Sequence, residues 1–227
     1  MNIQELMQSY LEVVDKKNKN LVDIAFDEMN SSQYEEAASH FDQLYVQDSN
    51  DFMSYFFRAY CKSHCGTRGN VYPDSQKLTS AFDLACKKAL ALGANLEVNL
   101  YLIFAMYDEA MKNLADNAVE EVRLDSNGNT VTSNPTKTKI LLDCRTNLVY
   151  VMKENSNVIK SKKSLKEYVT TYLKRIVNQN LKVYGPIIVA YEPEYATILE
   201  KKLKAKKIKT IIGLSIVAII ILLIVIK

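Results

Sequence analysis

The sequence predicts an all-α fold of packed helical hairpins with one apolar helix at its C-terminal end. Three observations carry this. Six glycines and four prolines punctuate 227 residues, so most of the chain lacks helix-breaking residues. Apolar side chains recur every three or four positions, the period of a helix with one buried face. The final stretch from Thr210 to Ile226 runs for seventeen residues without a charge.

A first helix is expected from about Ile3 to Lys17, with Leu6, Tyr10, Val13 and Val14 on one face, interrupted by the cluster KKNKN. Leu21, Ile24 and Ala25 stripe the next helix, Asn30 to Ser32 signal a turn, and Tyr34, Ala37, Phe41 and Leu44 stripe the one after. A second pair follows. DFMSYFFRAYCKSHC places Phe52, Tyr55, Phe56 and Ala59 on one face, and SQKLTSAFDLACKKALAL turns Leu78, Ala81, Phe82, Ala85 and Ala89 inward. GTRGNVYPD reads as the loop between them, with Pro73 and Asp74 starting the helix.

Beyond Gly93 the spacing predicts one long helix from Leu96 to about Val122, through Leu100, Phe104, Tyr107, Met111 and Leu114. LDSNGNTVTSNP breaks it, its Asn-Gly admitting a mobile loop or a short edge ribbon. Ile140, Cys144, Leu148 and Val151 then stripe one amphipathic helix; Leu165, Tyr168, Val169, Tyr172, Leu173 and Ile176 stripe another, which Gly185-Pro186 should end. The chain restarts at Pro193, a residue tolerated in a first helical turn. The expected organisation is therefore a helical domain over 1–126, a loop over 127–135, a basic helical hairpin over 136–191, a juxtamembrane helix over 192–209 and a transmembrane helix over 210–226.

At ~1.5 Å per residue the apolar tail gives roughly 25 Å of helix, just enough to cross a hydrocarbon core. Its β-branched residues would weaken a helix in water, but in lipid each backbone group must be bonded within the segment. Lys201, Lys202, Lys204, Lys206, Lys207 and Lys209 precede it and Lys227 follows. That asymmetry keeps the lysine-rich flank and the preceding residues in the cytosol, with the C-terminus on the far side. MNIQELMQSYLEVVDKK carries acidic and amide residues where a signal peptide needs a basic head and an apolar core. The layout resembles tail-anchored proteins.

The net charge of +3 conceals a gradient. Residues 1–60 contain eleven acids and four bases, whereas residues 136–190 contain three acids and eleven bases. The six lysines before the tail are expected at the membrane surface, and for the basic hairpin two readings stand, contact with anionic headgroups of the bilayer and a plain solvated helix face. No zinc-finger, RNP or helix-turn-helix pattern surrounds the basic residues, so nucleic acid is not an expected partner.

No nucleotide-binding, zinc-protease or nucleophile-elbow motif is present, and with His40 and His64 as the two histidines no catalytic residue is assigned. His40 reads as a partly exposed helix residue, and Asp27, Glu28, Glu35 and Glu36 as a solvated surface without histidine or cysteine partners. Cys61, His64 and Cys65 share one helical face, a spacing that could present metal ligands, with Cys86 or His40 as a fourth. No paired C-x-x-C supports this, and the segment reads as a helix ending at Gly66. No metal or cofactor is expected.

Leu21, Ala25, Tyr34, Ala37 and Phe41 give the first hairpin a pattern that resembles a tetratricopeptide repeat. Glu28 stands where the family has an aromatic residue and Ser49 where it has a closing proline. The second hairpin is a degenerate version. The resemblance implies a short solenoid or bundle that binds a partner protein, with Val22, Phe26 and Met29 on the partner-binding face. The family's clamp for C-terminal carboxylates needs a lysine and an asparagine where this chain has Val22 and Phe26. The function expected is a membrane-tethered scaffold or adaptor; the alternative is a membrane-active protein whose basic helices reshape the bilayer.

Overall fold

The computed structural model describes residues 2–66, 70–124 and 130–208. Its contacts fall into two compact units, Met1–Glu154 and Asn155–Lys227. Among the described residues both are all-α, apart from one two-stranded ribbon in the first.

The first unit runs α1 (Ile3–Leu11), α2 (Lys16–Asn30), α3 (Tyr34–Gln47), α4 (Phe52–His64), α5 (Val71–Leu92), α6 (Leu96–Asp116), β1 (Glu121–Leu124), β2 (Thr130–Ser133) and α7 (Pro135–Glu154). From α2 to α7 each helix packs on the next, while α1 packs on both α2 and α6 and so closes the row into a bundle. The centre is aromatic. Phe57 lies 5.2 Å from Phe26 and 5.0 Å from Phe41, ring centre to ring centre, and Tyr10 meets Phe57 edge-on at 5.3 Å. Each such buried ring contributes about 1.5–3 kcal/mol of hydrophobic stabilisation.

Caps set the helix boundaries. Asn2 and Glu5 form a reciprocal capping box that starts α1. α1 stops at Leu11, short of the expected Lys17, because Asp15 accepts a hydrogen bond from the Lys17 amide and begins a new helix there. KKNKN is thus the first turn of α2. Helix α5 begins at Val71, ahead of Pro73, whose missing N–H costs nothing in a first turn. Its end is set by Gly93 at φ +67°, a left-handed cap that a side chain would strain.

The long helix expected to reach Val122 ends at Asp116. Residues beyond it pair instead as an antiparallel ribbon, from Glu121 opposite Ser133 to Leu124 opposite Thr130. Asn134 holds both ends of this excursion. Its Nδ2 donates to the Ala118 carbonyl at 2.8 Å, and its Oδ1 accepts from the Lys137 amide at 2.8 Å, capping α7.

Helix α7 buries Ile140, Cys144, Leu148 and Val151. Tyr107 of α6 stacks on Phe82 of α5 at 4.0 Å, and its hydroxyl meets Thr79 Oγ1 at 2.8 Å and Asn147 Nδ2 of α7 at 3.1 Å. The division of contacts therefore falls at Glu154, not at the polar stretch 127–135, because the apolar stripe of α7 is spent on α5 and α6.

The second unit contains α8 (Ser156–Lys160), α9 (Lys163–Ile176), a 3-10 turn (Val177–Gln179), α10 (Leu181–Tyr191) and α11 over 195–208. Gly185-Pro186, expected to stop a helix, lies inside α10. The proline ring frees the carbonyl of Lys182, an exposed residue that water can satisfy. Gly185 is buried, and a Cβ there would strike the Leu199 side chain of α11. Close packing of α11 outweighs the weak helix propensity of the pair.

Among the described residues no helix is long and apolar enough to cross a membrane. The span expected over 210–226, and Lys209, lie outside them.

Candidate functional site

Val22, Phe26 and Met29 do not line an open face. They are 1%, 1% and 6% exposed. Tyr10 of α1 packs 6.1 Å from the Phe26 ring, and Gln4 Nε2 reaches Asn30 Oδ1 at 3.5 Å. α1 covers the surface that the tetratricopeptide resemblance would leave free.

The C-terminal end of α4 meets α6 in a cluster of polar side chains. There a cleft of about 650 Å³ is lined by Tyr34, His64, Glu109, Lys112, Asn113 and neighbouring residues at the end of α6. Tyr34 stacks on the His64 ring at 4.2 Å, and the His64 side chain is 5% exposed. Asn117 Nδ2 donates to Asn113 Oδ1 at 3.1 Å, which turns Asn113 Nδ2 toward His64 Nδ1 at 2.8 Å. Nδ1 is then the acceptor and Nε2 carries the proton. Nε2 lies 3.5 Å from Glu109 Oε2, an ion-pair distance without a well-formed hydrogen bond. Tyr60 donates to the same oxygen at 2.8 Å.

Burial raises the Glu109 carboxyl, but His64, the Tyr60 hydroxyl and the Lys112 charge outweigh it and hold the group below the usual carboxylate range. Burial and then the Glu109 charge push the Tyr60 hydroxyl well up. The arrangement offers a charged, aromatic rim in which the Glu109 carboxylate is held by the Tyr60 hydroxyl and flanked by His64 and Lys112.

Cys61, His64 and Cys65 do not converge on one point. The Cys65 thiol points back to the Cys61 carbonyl at 3.4 Å while His64 turns to α6. Among the described residues no group of three histidine, cysteine or carboxylate side chains is placed to hold a metal ion. Burial raises both thiols, with Glu35 and Glu36 adding to the effect at Cys65, the direction opposite to nucleophile activation.

Glu28, expected on a solvated carboxylate surface, instead meets His40, with Oε1 and Nε2 3.1 Å apart. Its Oε2 and His40 Nδ1 are buried without hydrogen-bond partners. Glu28 sits where the repeat pattern has an aromatic, and that mismatch was the available signal of a polar partner across the hairpin.

In the second unit Lys201, Lys204, Lys206 and Lys207 are exposed on α11, and Lys202 is half-buried, donating to Asn178 Oδ1 at 3.0 Å and the Tyr195 hydroxyl at 3.2 Å. Helix α10 presents Val183, Pro186 and Ala190 outward, with Val183 50% exposed. Sequence periodicity did not reveal this outer face because α10 is apolar nearly all round. Comparison with known protein families, curated proteins and solved structures finds no match.

Proposed function

We propose that the chain is a membrane-tethered helical scaffold or adaptor, its first unit presenting a protein-binding surface to the cytosol. The observation that carries the reading is the division of charge between the units. Residues 1–154 hold 22 acidic and 15 basic side chains, whereas residues 155–208 hold four acidic and twelve basic. A basic unit directly before an uncharged apolar segment suits anionic headgroups, and an acidic one suits the aqueous side. The α2–α3 hairpin supports a tetratricopeptide-like element, since Ala25 and Ala37 are fully buried where close helix approach needs small residues. The partner surface in this reading is the cleft around His64 and Glu109.

Carbonate washing of host membranes, with proximity labelling from the N-terminus, tests it. The full chain should stay in the pellet and label cytosolic proteins; full chain in the supernatant overturns the tether. The outward apolar face of α10 favours a second reading, in which the basic unit inserts into the bilayer interface and reshapes it. Release of a trapped dye from anionic liposomes by the full chain would favour that second reading over the adaptor.

A further inference from the structure

Glu109 is the charge in the His64 cleft that the fold leaves open on one side. Its Oε2 is held from behind, by the Tyr60 hydroxyl at 2.8 Å and by His64 Nε2 at 3.5 Å, and both of those side chains are almost fully covered. Its Oε1 makes no hydrogen bond among the described residues and is not sealed in, since the Glu109 side chain is 43% exposed. The anchored oxygen fixes which way the open one faces.

The other charges that line the cleft are already matched. Lys112 pairs with Asp108 one turn back on α6, and Asp116 accepts from Lys137 Nζ at 2.7 Å. Lys112 acts on Glu109 at longer range, through its charge alone. His64 takes the Asn113 amide at Nδ1 and so stands as a neutral imidazole. One carboxylate charge is left without a cation of its own.

An aromatic wall completes the cleft. Tyr34 is half-buried, stacks on His64 at 4.2 Å and meets Tyr60 edge-on at 6.4 Å, so three rings cluster beside the carboxylate. An ionised carboxylate beside stacked rings is the complement of a flat cation.

We propose that this cleft, the partner surface of the adaptor reading on which the assignment rests, receives an arginine side chain of the partner protein, its guanidinium donating to Glu109 Oε1 and lying against Tyr34. A guanidinium carries five N–H donors in one plane and sheds water more readily than an ammonium, so it meets a carboxylate and a ring together. Lysine brings a compact, strongly hydrated charge that gains less from the ring wall. An anion would face Glu109, while Lys112 is held by Asp108. The volume of about 650 Å³ admits a whole side chain.

The chain has two histidines, so nitrogen-isotope labelling of histidine gives one set of ring signals from the cleft, at His64, and one from outside it, at His40. The full chain in detergent micelles is titrated with acetyl-arginine-amide, its citrulline analogue, acetyl-lysine-amide and inorganic phosphate. Citrulline keeps the shape of arginine and loses the charge. The arginine amide should move the His64 signals to saturation while those of His40 stay fixed. Its Kd should lie about tenfold or more below that of the citrulline amide, and below that of the lysine amide, and should rise with salt. Motionless His64 signals, or a citrulline or lysine amide that binds as tightly, overturns the assignment. So does movement with phosphate alone, which would reverse the charge the cleft selects.

Glu109→Gln keeps an acceptor for Tyr60 and removes the charge. It should weaken the arginine amide about tenfold with little change at the citrulline amide, and Tyr34→Leu should weaken it about threefold. Unmoved His40 signals identify a folded variant, and unchanged affinity in folded Glu109→Gln overturns the assignment. Failure in these titrations leaves the carbonate and labelling outcomes standing, whereas full chain in the supernatant removes the tether without altering a Kd.

Discussion

His40 Nε2 and Glu28 Oε1 lie 3.1 Å apart and join α3 to α2 across their hairpin. The pair is half satisfied, since the second polar atom of each side chain is buried without a partner. Glu28→Leu alone should cost about 1–3 kcal/mol by orphaning the imidazole. Adding His40→Leu should recover part of that loss, a coupling of about 0.5 kcal/mol or more. A double-mutant cycle by urea unfolding measures it; strictly additive losses would show that the two groups do not interact.

Phe26→Ala should destabilise the first unit by about 3–5 kcal/mol, as expected for a ring removed from a packed core. Unfolding in guanidinium reads this directly. A loss below about 1 kcal/mol would place Phe26 on an open binding face after all.

Acid should loosen the end of α4. Glu109 is held below its unfolded value of about 4.3, so its contacts stabilise the fold above that pH and the contribution disappears as pH falls through the folded value. Glu109→Gln should flatten stability against pH on the acid side of about pH 5 while leaving the profile above it parallel. Thermal melting across pH 3 to 7 provides the comparison.

Gly185→Val should cost about 1–3 kcal/mol in the second unit through overpacking against Leu199. Pairing it with Leu199→Ala should return most of that, because the leucine is what the new side chain strikes. Circular dichroism melts of the single and double variants decide the matter; equal loss in both would point to helix propensity instead.

Helical periodicity made the fold class legible, because Phe41, Leu78, Phe104 and Leu173 each recur at core spacing and each is buried. Boundaries were legible where a cap is local, as at Gly93. They were not where the decisive partner is distant in sequence. Gly185-Pro186 reads as a stop until Leu199 is seen against it, and the helix end at Asp116 depends on Asn134. The same limit hid the cleft. His64 and Glu109 are forty-five positions apart, and a histidine in CKSHC suggests its cysteine neighbours before a carboxylate on another helix. Val22, Phe26 and Met29 share the periodicity of a binding face and of a core face alike, and only α1 decides between them.

Because the Asn134 side chain grips the carbonyl of Ala118 while it caps α7, the ribbon leaves and rejoins the bundle at two points that are pinned together. Lengthening or trimming such a detour leaves the register of α6 on α7 untouched. The bundle thus has a built-in port at which new sequence can be spliced without reopening its core.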